Sequence, residues 1–230
     1  MTDQTAKLEW KGGVPIATQF DDPYYSLDNG VAETEHVFLA GNDLPARFGG
    51  DFHIAELGFG TGLNLLVTWA AWAQAGYPGT LRFTSFEAFP MTPAEMTQAL
   101  GHFPELQPYA ALLLNAWTPG AGPTQLIDGP ILNVIIGDAR ETLPAWEDKA
   151  DAWFLDGFSP AKNPALWDPD LLRAVGQHTT PSGTAATYSA AGHIRRSLTD
   201  AGFTVPRTPG YGRKRHMTQA RLAAAESPAP

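Results

Sequence analysis

Short apolar runs bounded by Gly, Pro or Asp recur along this chain, and most of the intervals between them carry the three-to-four-residue spacing of a helix. The runs predict strands over Phe52–Leu57, Leu81–Glu87, Leu132–Ile136, Ala152–Leu155 and Thr184–Tyr188, with two more near Phe203–Pro206 and His216–Ala220. Helical patterns fit Gly62–Ala75, Pro93–Gly101, Arg140–Trp146, Ala165–Gln177 and Gly192–Ala201, the last stopping at Gly202, a residue type favoured just past a helix end. Strands alternating with helices specify an α/β fold: a mostly parallel, seven-stranded sheet with helices on both faces, covering 51–220. Ahead of it, residues 11–48 are rich in turn formers such as Asp21-Asp22-Pro23 and Asp28-Asn29-Gly30. Residues 1–50 therefore read as an N-terminal extension or a lid packing on the site of the main domain. The Ala, Pro and Ser of the last residues cannot bury themselves, so 221–230 is expected to be a disordered tail.

Composition narrows this picture. A chain of 230 residues, 43% hydrophobic and 17% charged, has the size of one domain with a well-buried core. The longest apolar stretch, Leu63 to Ala73, is interrupted by Asn64, Thr68 and Trp69 and is too short to cross a bilayer, so no membrane span is expected. Met1 to Lys11 has no apolar core and does not read as a secretory signal. The absence of cysteine excludes disulfides and thiolate chemistry and makes a cytoplasmic location the simplest reading. No histidine has a spaced partner that would make a metal site. The net charge of −9 argues against a generic nucleic-acid binder, yet 20 acidic and 6 basic residues precede position 161, whereas 4 acidic and 9 basic follow. Arg195, Arg196, Arg207, Arg213, Lys214 and Arg215 are thus either solvated surface charge or a phosphate-binding patch.

The strongest local signal is His53 to Asn64, HIAELGFGTGLN, an apolar strand feeding a glycine-rich turn that opens a helix. A dinucleotide fingerprint would need a glycine at 63, where this chain has Leu63; the spacing is instead E-x-G-x-G-x-G. That form resembles the cofactor motif of class I S-adenosylmethionine-dependent methyltransferases, and it suits a ligand with no pyrophosphate but with an ammonium that Glu56 can neutralise, directly or through solvent. Glu87 ends the next strand, 25 residues beyond Gly62, where a nucleoside-binding Rossmann fold places a carboxylate for ribose hydroxyls. Asp138 follows the third strand and either contacts the adenine amine or caps the next helix. Candidate cofactor contacts are Asn29, Gly30, Glu56, Gly58, Phe59, Gly60, Gly62, Asn64, Glu87, Asp138 and Asp156.

The fourth strand runs into Leu155-Asp156-Gly157-Phe158-Ser159-Pro160-Ala161-Lys162-Asn163-Pro164. Ligands of open α/β sheets bind beyond the carboxyl ends of the strands, so Asp156 and Phe158 are the candidate catalytic pair. A carboxylate there orients an incoming amine and accommodates the charge growing on nitrogen; alternatively it only caps the turn. Phe158 and Trp167 form a wall fit for stacking an extruded base, or else core. Lys162 reaches substrate phosphate or solvent.

Asp22 to Ser26, Asp28 to Gly30, Glu56 to Asn64, Phe86 to Pro90, Trp153 to Pro164 and Gly210 to Met217 together resemble the methyltransferase part of the MnmC-type tRNA-modifying enzymes. The resemblance spans about Trp10 to Met217. It implies a Rossmann-like class I methyltransferase that uses S-adenosyl-L-methionine to N-methylate 5-aminomethyl-2-thiouridine at the tRNA wobble position, giving 5-methylaminomethyl-2-thiouridine by direct in-line transfer. Lys162, Arg195, Arg196, Arg213, Lys214 and Arg215 then become candidate tRNA contacts. Bifunctional relatives continue into a flavin-dependent oxidase; this chain shows no second glycine-rich dinucleotide motif, so FAD is not expected in it. A separate enzyme is expected to supply the aminomethyl precursor, the chain being either a stand-alone enzyme or an excised domain. Two other readings are a small-molecule amine N-methyltransferase, which the acidic balance suits, and a noncatalytic cofactor-binding partner in a modification complex.

Overall fold

The computed structural model describes residues 5–26, 29–212 and 215–224. The N-terminal segment is more regular than its turn formers suggest. Strands β1 (Leu8–Lys11), β2 (Val14–Ala17) and β3 (Asp22–Pro23) make a small antiparallel sheet. Helix α1 (Gly30–Thr34) follows, capped by the Asn29 side chain, which accepts from the Ala32 N–H at 3.0 Å. It widens into a π-turn over Glu35–Leu39 and tightens into a 3₁₀ turn over Ala40–Asn42. Val37, Phe38 and Leu39 belong to the main core, so this stretch is structural and not merely a connection.

The remaining chain alternates β4 (Asp51–Leu57), α2 (Leu63–Gln74), β5 (Thr80–Glu87), α3 (Pro93–Leu100), α4 (Gln107–Asn115), β6 (Thr124–Gln125), β7 (Ile131–Ile136), α5 (Ala139–Thr142), β8 (Ala150–Leu155), α6 (Pro169–Gln177), β9 (Thr179–Thr187), α7 (Gly192–Asp200), β10 (Phe203–Thr204), β11 (Arg207–Pro209) and β12 (His216–Leu222). The sheet order is β10-β12-β9-β8-β4-β5-β7-β6, with β11 on β12. Its centre, from β9 through β8, β4 and β5 to β7, is parallel, and β12 closes it antiparallel. This is the Rossmann-like α/β architecture. Alternate residues serve opposite faces. On β8, Ala152 and Phe154 join the core under α2, whereas Trp153 and Leu155 join the one under α6 and α7.

Among the described residues the sheet has nine strands, where the pattern predicts seven. The additional β6 and β11 have two and three residues, too few for an alternation to register. Helix α4 also has no counterpart among the predicted elements. Pro108 looks like a breaker in sequence but lies at the start of this helix, where its missing N–H costs nothing. The helix expected over Ala165–Gln177 is divided: a 3₁₀ turn at Pro164–Trp167 ends at Asp168, which caps α6 by accepting from Asp170 N–H at 2.8 Å. Strand β12 runs to Leu222, two residues past the expected domain end, and 225–230 lie outside the described residues. No helix of the described residues is long and apolar enough to cross a membrane.

Asn42 fastens the N-terminal segment to this sheet. Fully buried, it donates to the carbonyls of Phe38 (2.9 Å) and Trp153 (3.3 Å) and accepts from the Thr184 hydroxyl (2.6 Å). Asn42→Ala leaves a buried hydroxyl and a strand carbonyl without these partners, and should destabilise the fold by about 2–3 kcal/mol. Urea unfolding checks this; a loss below about 0.5 kcal/mol, the range of ordinary surface changes, would show that the network does not hold the segment.

Candidate active site

Strands β5 and β7 lie to one side of β4 and strand β8 to the other, so the helices that follow β4 and β8 leave in opposite directions and open a crevice beyond the strand ends. A cavity of about 880 Å³ occupies that crevice, in the upper range of ligand pockets. Gly58, Phe59, Gly60 and Thr61 of the glycine turn line it, whereas Gly62 does not. Gly58 (φ +86°) and Gly60 (φ +54°) adopt left-handed conformations, and a Cβ on Gly60 would lie 3.0 Å from the Tyr24 ring. Phe59 turns away to stack on Trp117 at a centroid distance of 4.9 Å while still lining the cavity. Gly62 begins α2 as its cap.

Glu87, at the end of β5, accepts from the Gly60 N–H (2.9 Å) with one oxygen and from the Phe89 N–H (2.7 Å) with the other. Burial pushes its carboxyl above the usual carboxylate range, against the pull of these backbone donors. Asp138 caps α5 through the Arg140 N–H (2.9 Å) and pairs with the Arg140 guanidinium at 2.5 Å, which holds its carboxyl below the ordinary value. Of the two roles open to Asp138 in sequence, capping is thus realised, and its side chain still reaches the cavity wall.

Asp156 leaves the end of β8. One oxygen accepts from the Gly157 N–H at 2.8 Å and the other from Nδ2 of Asn64, also at 2.8 Å. The same Asn64 nitrogen donates to Glu56 at 2.9 Å. Glu56 is fully buried below the cavity wall and also accepts from the Ser85 hydroxyl at 2.7 Å. Burial raises its carboxyl to about 8; the bonds from Asn64 and Ser85 oppose this, and nearby Asp156 and Glu87 add to it. The structure thus brings Glu56 to the site through Asn64 and not at the cavity surface.

Phe158 stacks on Phe20 (4.7 Å, 24°) and meets the edge of Tyr24 (5.0 Å, 83°), so the N-terminal segment closes over the crevice. Lys162 is bound there too, to the Asp21 carbonyl and the Asp21 and Asp22 carboxylates, while Asp22 accepts from the Ser159 N–H at 2.7 Å. Trp167 is buried core, its indole donating to the Phe158 carbonyl at 2.9 Å. Gly30 lines the cavity and Asn29 does not. Arg195, half-buried, donates to the Val205 carbonyl at 3.0 Å; Arg196 and Arg215 are exposed, none of the three lines the cavity, and Arg213 and Lys214 lie outside the described residues.

Several lining residues carried no assignment from sequence, among them Phe20, Tyr24, Glu33, Thr34 and Tyr188. The Tyr188 hydroxyl donates to the Gly157 carbonyl at 2.7 Å, and its place just past β9 is legible from the rule that sites gather at strand ends. Thr34 gives no such signal, because no helical pattern marks α1. Among the described residues no cluster of His, Asp or Glu could hold a metal.

A family model described as S-adenosyl-L-methionine-dependent methyltransferase matches residues 104–223, just over half of the chain. The chain belongs to this methyltransferase family. It is 43% identical, over 97% of its length, to the tRNA 5-methylaminomethyl-2-thiouridine biosynthesis bifunctional protein MnmC of Chromobacterium violaceum, and spans about a third (35%) of that relative. The crystal structure of MNMC2 from Aquifex aeolicus superimposes with a TM-score of 0.76 at 27% identity, covering all of this chain and 74% of the other. The fold of this methyltransferase is accordingly class I, and its cofactor is S-adenosyl-L-methionine. The cavity fits that group: the glycine turn leaves space at the backbone, Glu87 offers a carboxylate at a strand end, and acidic Asp22, Glu33, Glu87, Asp138 and Asp156 line it. Among the described lining residues the one Lys or Arg is Arg140, already paired with Asp138, and the acidic side chains suit a cationic ligand.

The buried Glu56 has a measurable consequence. With its folded value near 8 and an ordinary value of 4.5, the native protein holds a proton that the unfolded chain releases between those limits. The resulting stabilisation is full below about pH 4.5 and is lost as pH rises through 8. Glu56→Gln mimics the protonated acid, so it should narrow the fall in urea midpoint between pH 5.5 and 8.5; an equally steep fall in the variant would place the titrating group elsewhere.

Proposed function

We propose that this methyltransferase N-methylates the primary amine of 5-aminomethyl-2-thiouridine at the wobble position of tRNA, giving 5-methylaminomethyl-2-thiouridine. The observation that carries this reading is a carboxylate, Asp156, held by two N–H donors at the switch point of the sheet and facing the same cavity as the glycine turn and Glu87. The kinship with the MnmC relative supports the choice of substrate. S-adenosyl-L-methionine, when bound, supplies an electrophilic methyl group. Gly58 and Gly60 bring backbone close to it, Gly62 turns the chain into α2 behind them, Glu87 accepts from ribose hydroxyls, and the walls near Asp138 and Gly30 enclose the remainder.

A carboxylate offers about four acceptor sites, and in this reading Asp156 accepts a hydrogen bond from the incoming amine. A free alkylammonium titrates at about 10.4, so the site must receive or make the neutral amine. Asp156 orients the amine lone pair and takes up, directly or through water, the proton released as the N–C bond forms and the sulfur–methyl bond breaks, leaving S-adenosylhomocysteine. Phe158 and Phe20 supply an aromatic wall for an extruded base. Arg195, Arg196 and Arg215, with Arg213 and Lys214, contact the tRNA backbone, whereas Lys162 straps the Asp21-Asp22 turn over the site. The protein acts in the cytoplasm, after a separate activity has supplied the aminomethyl precursor.

Asp156→Asn should lower methyl transfer roughly 100-fold or more while changing cofactor affinity little; near-unchanged turnover with cofactor and tRNA saturating would remove Asp156 from this role. Gly60→Leu should abolish calorimetric cofactor binding in a variant that stays folded, and retained affinity would mean that the turn is not the cradle. The deciding assay incubates the protein with labelled cofactor and tRNA bearing the unmethylated amine, beside a panel of small amines, and follows wobble nucleosides by mass. Label in the small amines alone would favour a small-molecule methyltransferase, and cofactor binding without transfer would favour a noncatalytic partner.

A further inference from the structure

Asn64 has three bonds that fix its amide completely. Nδ2 gives one hydrogen to Glu56 and one to Asp156, and Oδ1 accepts from the Thr34 hydroxyl at 2.8 Å. A flipped amide would set its oxygen against the two carboxyl oxygens that now accept from Nδ2 and its nitrogen against Thr34, so this orientation is the one that satisfies all three partners. Thr34 is itself buried and sits at the end of α1, just where the chain widens into the π-turn. Its hydroxyl therefore has a defined partner inside the protein, although the residue also borders the cavity.

We propose that Thr34 is a positioning residue for methyl transfer: it holds the plane of the Asn64 amide, and through Asn64 it fixes the Asp156 carboxylate toward the incoming amine. Glu56, braced by Ser85, anchors the same amide from below. Thr34 then acts through two side chains and touches neither reactant. The inference rests on the reading of Asp156 as the group that receives the amine.

The test is a double-mutant cycle with kcat and cofactor Kd measured separately, using the amine-bearing tRNA as substrate. Thr34→Val keeps the shape and removes the hydroxyl. It should lower kcat about tenfold, the rate equivalent of one well-placed hydrogen bond, with cofactor Kd within about twofold. Thr34→Ser should restore kcat to within about twofold of the wild type. Adding Thr34→Val to Asp156→Asn should cost almost nothing further, because the amide no longer has a carboxylate to place. Unchanged kcat in Thr34→Val would overturn the proposal, and so would a loss confined to cofactor affinity, which would put Thr34 in direct contact with the cofactor. If Asp156→Asn alone turns over normally, the reading of Asp156 fails first, and that outcome is distinct from an impaired Asp156→Asn beside a normal Thr34→Val.

Discussion

A single amide nitrogen, Nδ2 of Asn64, lies between two carboxylates that the sheet forces together. Strands β4 and β8 are parallel neighbours with Leu57 opposite Leu155, so Glu56 near the end of one and Asp156 just past the end of the other converge on one spot. Two like charges in a buried place repel strongly, because little water screens them. The forked NH₂ of an asparagine gives each a hydrogen, and Asn64 stands on the second residue of α2, directly above the gap. Burial completes the arrangement by favouring the protonated form of Glu56, while Asp156 is the member of the pair that lines the cavity.

The crevice geometry follows from this packing. Gly58 lies against the Asp156-Gly157 peptide, where an added methyl group would make ordinary contact with Gly157 Cα at 3.5 Å, so it is the positive φ that restricts the position to glycine. The glycine turn is tied in turn to Glu87, whose two oxygens take the N–H groups of Gly60 and Phe89. Three strand ends are thereby joined by side chains into one rigid rim, which is the preorganisation that positioning catalysis demands.

Much of this is legible in sequence. The central strands are short runs rich in apolar residues and bounded by turn formers, the pattern that a sheet covered on both faces produces. Asp156, Glu87 and the glycine turn stand out because chemistry gathers at strand ends. Glu56 is legible as an important acid but not as a buried one, since an alternating strand does not reveal how deep its end lies. The N-terminal segment is the hardest to read. Its turn formers sit at 21–30 and mask the apolar Val37-Phe38-Leu39 that follows, and the partners of Thr34 and Asn42 lie 30 and 142 residues away, beyond any local pattern.

That distance bears on how the protein comes into being. The hydroxyl that Asn42 needs, on Thr184, is synthesised 142 residues later, and the backbone amide that Asp22 binds, on Ser159, 137 residues later. This stretch is therefore made well before all of its partners, and Val37, Phe38 and Leu39 gain their full cover only when β8 and β9 have emerged. Contacts so remote along the chain slow folding, and the waiting apolar turn is a natural place for a chaperone to hold.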